Sequence, residues 1–327
     1  TQVIETNARA RERFPHVTPG QRLLEAFGEH RLAEAVRECL REGAPRTLEL
    51  RLFSTDRRTY RVHVEPLRPR GAPPEALVHL TDLTEAVAYA ELRSQFVANV
   101  SHELRTPLTG LGGMLEALED PDIDPATHER FVRRASAEIH RLDALITDIL
   151  FLSDLESHPG NPSDEQADLA AVARHTRDEL SDKAAAEDVE LTVEDGPPAW
   201  VPLTPTMAGT VVRNLMENAV RYSGPQSTVV ARVVASPPPA ERTGEWVALE
   251  VADDGVGIPE RHLPHVFERF YRADPSRSKQ MGGTGLGLSI VKHIAERFGG
   301  EAAASSREGF GTTVRVVLPR VPARPAD

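Results

Sequence analysis

The sequence predicts a multidomain chain of three parts: a small α+β unit over residues 1–85, an antiparallel helical hairpin over 86–157, and an α/β sandwich over 164–320. Three observations carry this. Short helical patterns give way to two-residue alternation in the first part. A seam of apolar residues at steps of three and four, broken once, runs through the second. Helices alternate with strands in the third. At 327 residues the chain is long enough for two or three cores.

In the first part, "ETNARARERF" (5–14) enters a helix and "GQRLLEAFGEHRLAEAVRECLREG" (20–43) has helical apolar spacing closed by Gly43 and Pro45. "TLELRLFSTDRRTYRVHVEPLR" (47–68) alternates as a hairpin around the polar "STDRR", and "ALVHLTDLTE" (76–85) adds a strand. Cys39 falls in a helix and fills a core; His30, His63 and His79 read as packing or surface residues, with no cofactor expected.

In the second part, Val97, Val100, Leu104, Leu108, Leu111, Leu115 and Leu118 form a heptad-like seam, "EDPDIDPAT" (119–127) breaks it, and Phe131, Ile139, Leu142, Ile146 and Ile149 resume it. One hairpin leaves both seams half covered, so two copies would make a four-helix bundle. "SHPGNPS" (157–163) is a linker. Beyond it, helices at 168–186 and 205–222 alternate with strands at 189–194, 228–235, 245–252 and 312–318, with "SPPPAERTG" (236–244) as a hairpin excursion.

Composition narrows the function. Apolar content of 40% and charged content of 27% describe a globular protein. A net charge of −12 without a basic stripe argues against a nucleic-acid partner. A single cysteine excludes an intrachain disulfide and fits a reducing compartment. No apolar run approaches the roughly 20 residues of a membrane span. The chain starts at Thr1 and reads as a piece of something longer, which leaves membrane attachment to an absent upstream segment.

Within the hairpin, "FVANVSHELRTPLTGL" (96–111) places His102 about 200° around the helix from Val100 and from Leu104, hence facing solvent. Thr106 follows one turn on, and Glu103 stands beside the histidine. A neutral imidazole nitrogen is a nucleophile, and an adjacent carboxylate can hold the other ring N–H. Pro107 removes one backbone hydrogen bond and should bend the helix. A lone exposed histidine is more often a solvated polar residue, and the spacing leaves both readings open.

Three downstream segments bear on the choice. "NLMENAVRYS" (214–223) puts Asn214, Glu217, Asn218 and Arg221 at helical steps; Asn214 and Asn218 share a face whose amide oxygens could ligate Mg²⁺, or form an ordinary polar surface. "VADDGVGIP" (251–259) ends a strand in Asp253, able to accept from an exocyclic amine, with Gly255 and Gly257 allowing a ring to approach; a plain strand-end turn is the alternative. "GGTGLGLSIVKHIAERFGG" (282–300) runs a glycine-dense loop into a helix, where backbone amides attract phosphate. No buried strand immediately precedes it and no Gly-Lys-Ser/Thr occurs, which excludes the Rossmann and Walker A motifs. "FERFYRADPSRSKQM" (267–281) precedes it as a basic lid offering Arg269, Arg272, Arg277 and Lys279 to phosphate.

In order and spacing, "SHELRTPL", "NLMENAVRYS", "DDGVGI", "FERFYR" and "GGTGLGL" resemble the H, N, first glycine, F and second glycine boxes of the sensor histidine kinases of two-component systems, over residues ~90–320. The order of elements in 1–85 resembles the C-terminal part of a PAS sensor domain. The closest flavour within the family is its phosphate-sensing, PAS-containing class. The resemblance implies a dimer through 86–157 and a sandwich of the type shared with chaperone and gyrase ATPases. It implies that His102 attacks the γ-phosphate of ATP, that Glu103 orients the ring and acts as base, and that Thr106 positions water during dephosphorylation of a response regulator. Asn218 would ligate Mg²⁺ with Asn214 assisting, Asp253 would recognise adenine with Gly255 and Gly257 beside it, and Tyr222 would pack near the nucleotide. Arg272 and the loop of Gly283, Thr284, Gly285, Leu286 and Gly287 would hold phosphates, chiefly through the amides of Gly285 and Gly287. It implies the cytoplasmic portion of a bacterial protein anchored in the inner membrane.

Related ATPases that hydrolyse ATP carry a glutamate where this chain has Asn214, which favours a kinase. The rival reading is a nucleotide-binding dimeric scaffold that signals without phosphorylating itself; intact His102, Glu103 and Asn218 weigh against it.

Overall fold

Gly28 decides how the first helical stretch is built. The pattern over 20–43 suggests one helix, but the computed structural model shows two, Leu23–Phe27 and His30–Glu42. Gly28 takes the left-handed conformation at φ 64° and ends the first, while the Glu29 carboxylate accepts from Arg31 N and starts the second. The structure describes residues 1–53, 57–67, 73–157, 165–239, 242–273 and 283–323. Residues 54–56 of the polar turn, the linker after Ser157, residues 240–241 of the excursion, and Arg277 and Lys279 of the lid lie outside them. By compactness the chain falls into two units, Thr1–Ser101 and His102–Asp327.

The first unit opens with α1 (Ala8–Arg13), capped by Asn7. The helices already given, α2 and α3, follow. The strands β1 (Arg46–Phe53), β2 (Arg57–Leu67) and β3 (Glu75–Asp82) form an antiparallel sheet in that order. Alternate residues point inward: Leu50, Leu52, Tyr60, Val62 and Val64 are buried against Leu32, Val36 and Cys39 of α3. Burying each of the larger aliphatic side chains contributes about 1.5–3 kcal/mol. Cys39 sits in this core. His63 lies on the opposite sheet face between Thr47 and Glu65. Asp82, held by Arg58, accepts from the backbone and hydroxyl of Thr84 and so starts α4 (Thr84–Leu118) directly from β3.

Helix α4 runs unbroken through Pro107, which lacks the N–H that Glu103's carbonyl would otherwise accept. Gly110, Gly112 and Gly113 follow, and a Cβ at any of them would meet nothing within 4 Å. In the second unit, Asp124 caps α5 (Pro125–Ser157) through Thr127 N, with Pro125 in the first turn. Glu103 and Arg141, at matching distances from the turn, lie 3.7 Å apart, so the helices run antiparallel. The seam stays open: Leu108 is 58% exposed and Ile139 56%.

The sandwich begins with a two-residue strand, β4 (Ala167–Asp168), paired with β6 (Trp200–Val201); Asp168 accepts from Ala170 N and Ala199 N, tying both to the start of α6 (Leu169–Ala186). Its main sheet contains β5 (Val189–Val193), β7 (Ser227–Ser236), β8 (Trp246–Asp253), β10 (Gly311–Pro319) and β9 (Glu301–Arg307), in that spatial order. The first pair is parallel and the rest antiparallel. The helix α7 (Pro205–Tyr222), capped by Thr204, and α8 (Gly287–Arg297) complete it. Met216, Leu249, Leu286, Ile290 and Ile294 are fully buried. On the sheet's other face Glu250 joins Arg232 at 2.7 Å and Arg315 at 3.1 Å across three strands. Among the described residues no helix is long and apolar enough to cross a membrane.

Because a Cβ at Gly28 would meet nothing within 4 Å, Gly28→Ala tests backbone conformation alone. It should cost about 1–2 kcal/mol, read as a lower urea midpoint for the first unit. An unchanged midpoint would show that the left-handed break is not required.

Candidate functional site

Helix α7 presents Asn214, Asn218 and Tyr222 at four-residue steps along one face, while Val211, Leu215 and Met216 anchor the other in the core. Asn214 Nδ2 donates to the Thr210 carbonyl at 2.9 Å. Its Oδ1 lies against the start of α8, where a Cβ on Gly287 would come within 2.2 Å of it. Asn214 therefore joins two helices. Asn218 is half-buried and makes no side-chain hydrogen bond among the described residues, so its carboxamide is available to a ligand.

Asp253 closes β8. Its Oδ1 accepts from Gly255 N at 3.0 Å and Thr312 N at 3.2 Å, leaving Oδ2 without a partner among the described residues. Burial pushes this carboxyl above its ordinary range; the two amides oppose the shift and neighbouring Asp254 adds to it. A ligand N–H on Oδ2 would offset the desolvation.

Around these groups the backbone comes too close for side chains. A Cβ at Gly255 would sit 2.6 Å from the Tyr222 carbonyl. Gly257, at φ 68°, would place one 2.2 Å from the Arg307 carbonyl at the end of β9. Gly285, at φ 76°, packs on Phe270, whose N–H donates to its carbonyl at 2.8 Å. Gly283 lies beside Arg221 and Tyr222. The N, glycine and F segments thus converge on the end of α7.

Within the glycine loop, the Thr284 hydroxyl accepts from Leu286 N at 3.2 Å and donates to Asp148 Oδ2 at 2.8 Å. Leu286 contributes a fully buried side chain that seats α8. Arg272, with its side chain 9% exposed, donates to the Gly283 carbonyl at 2.7 Å and to Glu103 Oε2 at 3.0 Å. Arg269 is half-buried nearby in the chain.

On the hairpin, His102 is exposed as its helical phase requires, and the Thr106 hydroxyl donates to the His102 carbonyl at 3.2 Å. Glu103 does not hold the imidazole in this arrangement. Its carboxylate is taken by Arg272 and by Arg141, which also bonds Glu138 at 3.2 Å.

Asp148 and Arg141 escaped the sequence reading. Asp148 shares a stripe with Leu145, Leu152 and Leu155, all three buried, distinct from the seam of Leu142, Ile146 and Ile149. An acid at a repeat position between leucines was the available signal. Arg297 Nη1 donates to the Leu155 carbonyl at 2.9 Å, fixing α8 to the same stripe.

Comparison with known proteins finds two domain families along the chain. Residues 92–158 match the His Kinase A (phospho-acceptor) domain, and residues 204–322 match the histidine kinase-, DNA gyrase B-, and HSP90-like ATPase. The sensor-like histidine kinase SenX3 of Mycolicibacterium smegmatis is 35% identical over 254 residues, which cover 76% of this chain and 62% of that protein. The phosphate regulon sensor protein PhoR of Pseudomonas aeruginosa is 34% identical over 243 residues, 73% of this chain and 53% of that protein. The chain thus spans less than two thirds of these relatives. A solved structure of the histidine kinase ThkA in complex with the response regulator protein TrrA shares the fold, with a TM-score of 0.53 at 20% identity over 98% of this chain and 93% of that one.

Two glycine replacements should act with opposite sign. Gly257→Ala meets both a positive φ and the Arg307 carbonyl, and should destabilise the sandwich by about 2 kcal/mol or more. Gly209→Ala, in open space on α7, should stabilise it by up to ~1 kcal/mol. Urea midpoints measure both; equal shifts would mean that the close approach is not what selects glycine.

Proposed function

We propose that this chain, which belongs to the sensor histidine kinases of two-component systems, phosphorylates itself on His102 from ATP and passes the phosphoryl group to an aspartate of a response regulator. Phosphatase activity toward that regulator accompanies it. The observation that carries the reading is the convergence on one helix end of Asn218, Asp253 Oδ2 and a glycine cradle that excludes side chains, beside a hairpin that presents an exposed histidine.

The residues divide the work. Asp253 accepts the exocyclic amine of adenine, while Gly255, Gly257 and Tyr222 border the ring. The loop of Gly283, Thr284, Gly285, Leu286 and Gly287, with Arg272, receives the phosphates through amides, hydroxyl and guanidinium. The Asn218 carboxamide fits Mg²⁺, with Asn214 fixing the loop beside it. Among the described residues no group of three or more His, Cys, Asp or Glu could hold a metal, so the remaining ligands would be phosphate oxygens and water. Bound there, Mg²⁺ would supply neutralisation of phosphate charge. A ring nitrogen of His102 forms the N–P bond as the bond to the leaving ADP oxygen breaks. Glu103, once off Arg272, holds the other ring N–H and takes its proton. Thr106 positions the water that hydrolyses the regulator's aspartyl phosphate, releasing inorganic phosphate.

Further assignments rest on this reading. Residues 86–157 form the dimerisation and phosphotransfer domain and 164–320 the ATP-binding domain. A second copy would cover Leu108, Leu115, Ile139 and Ile146, all roughly half exposed. Residues 1–85 act as a PAS-like relay, supported by a three-stranded antiparallel sheet that hands its last strand straight to α4.

The test is incubation with γ-labelled ATP and Mg²⁺. The native chain should acquire acid-labile, alkali-stable label, and His102→Gln should acquire none. Asp253→Asn should weaken nucleotide binding by roughly tenfold or more, about 1.4 kcal/mol. Nucleotide binding without any label in the native chain would favour the scaffold instead.

A further inference from the structure

We propose that Asp148 competes with nucleotide: its carboxylate takes the Thr284 hydroxyl that the nucleotide phosphates would use, so the sandwich docked on the hairpin binds nucleotide more weakly, and bound nucleotide undocks it. The inference rests on the nucleotide site proposed above and assigns it a residue from outside the sandwich.

A hydroxyl has one proton to give. Thr284 gives its proton to Asp148 Oδ2 at 2.8 Å while accepting from Leu286 N at 3.2 Å, so its donor capacity is spent on the hairpin. Arg272 is engaged as well, through one of its three nitrogens. Its Nη2 reaches Glu103 Oε2 at 3.0 Å and the Gly283 carbonyl at 2.7 Å. Two carboxylates, one from each hairpin helix, therefore hold the two side chains of the loop and F segment best suited to phosphate. They stand in for an anionic ligand. Around them Leu145, Leu152 and Leu155 are buried, and Arg297 reaches the Leu155 carbonyl at 2.9 Å, so the docked arrangement has an apolar base as well.

Charge makes the contact releasable. Among the described residues Asp148 receives a hydrogen bond only from the neutral Thr284 hydroxyl. Glu217 nearby opposes its negative charge, and Arg221 only partly relieves it. Phosphates arriving at Thr284 and Arg272 bring further negative charge against both carboxylates. Docking and nucleotide binding then disfavour each other, and by linkage each weakens the other by the same factor. Undocking also frees Glu103 from Arg272 to serve His102, so the same event that admits nucleotide releases the base.

The experiment uses the full chain and Mg²⁺–ADP, which binds without turnover. Titration calorimetry compares native protein with Asp148→Ala and with the near-isosteric Asp148→Asn, whose urea midpoints report folding. Asp148→Ala should tighten ADP roughly fivefold or more. Asp148→Asn should tighten it less, because its amide oxygen still accepts from Thr284 but carries no charge. Without nucleotide, amide exchange over 284–288 and 145–155 should be faster in Asp148→Ala than in the native chain, and ADP should speed exchange over 145–155 in the native chain. Unchanged or weaker ADP binding by both variants overturns the competition while leaving the nucleotide site standing. Unchanged exchange in Asp148→Ala overturns the docking role. A native chain that takes up no ADP overturns the proposed site, and this inference with it.

Discussion

Backbone must meet backbone around the C-terminal end of α7, and the rest of the second unit is arranged to allow it. The Tyr222 and Arg307 carbonyls come within a distance that a Cβ at Gly255 or Gly257 would violate, and the Phe270 backbone would crowd one at Gly285. The α7 face turned to the core, with Val211, Leu215 and Met216 buried, keeps the helix from retreating. What results is a concave rim of peptide groups, in which Asn218 and Asp253 keep polar atoms uncommitted among the described residues.

A rim of amides and arginines is an anion site before any ligand arrives, and such a site does not stay empty of charge when carboxylates are near. The hairpin supplies two. Glu103 is shared by Arg272 and Arg141, and Asp148 turns to Thr284. Hairpin and glycine loop are thus joined through Glu103 with Arg272 and through Asp148 with Thr284.

Much of this was legible from residue patterns. The two long helices of the hairpin, the helices over 205–222 and beyond Gly285, and the strands carrying Val229, Leu249 and Val316 all follow apolar period. Within the hairpin, however, the buried stripe is Leu145, Leu152 and Leu155 rather than the seam that the pattern picked out. The ordered motifs named the side chains that converge. The failures have physical causes. β9 is built from Ala302, Ala303, Ala304, Ser305 and Ser306, too small and polar to print an alternation, and its pairing is set by β10. β4 and β6, two residues each, are too short to have a period and depend on Asp168. The helix expected over 20–43 was broken by one glycine inside a continuous amphipathic pattern. Asp148 and Arg141 were passed over because their partners lie far along the chain or on the facing helix, and single-sequence periodicity carries no information about that.

The glycines at 110, 112 and 113 have a consequence for how α4 tolerates change. Each leaves open space where a side chain would stand, and each lowers helix propensity by about 1 kcal/mol relative to alanine. The turn and a half below Pro107 is thus the least self-sufficient part of the longest helix, and the cheapest to redecorate. Alanine there would stiffen this stretch of the helix, and larger residues would add relief to it without meeting another part of this chain within 4 Å. Stiffness and surface shape at this point can be retuned by single substitutions, independently of the core.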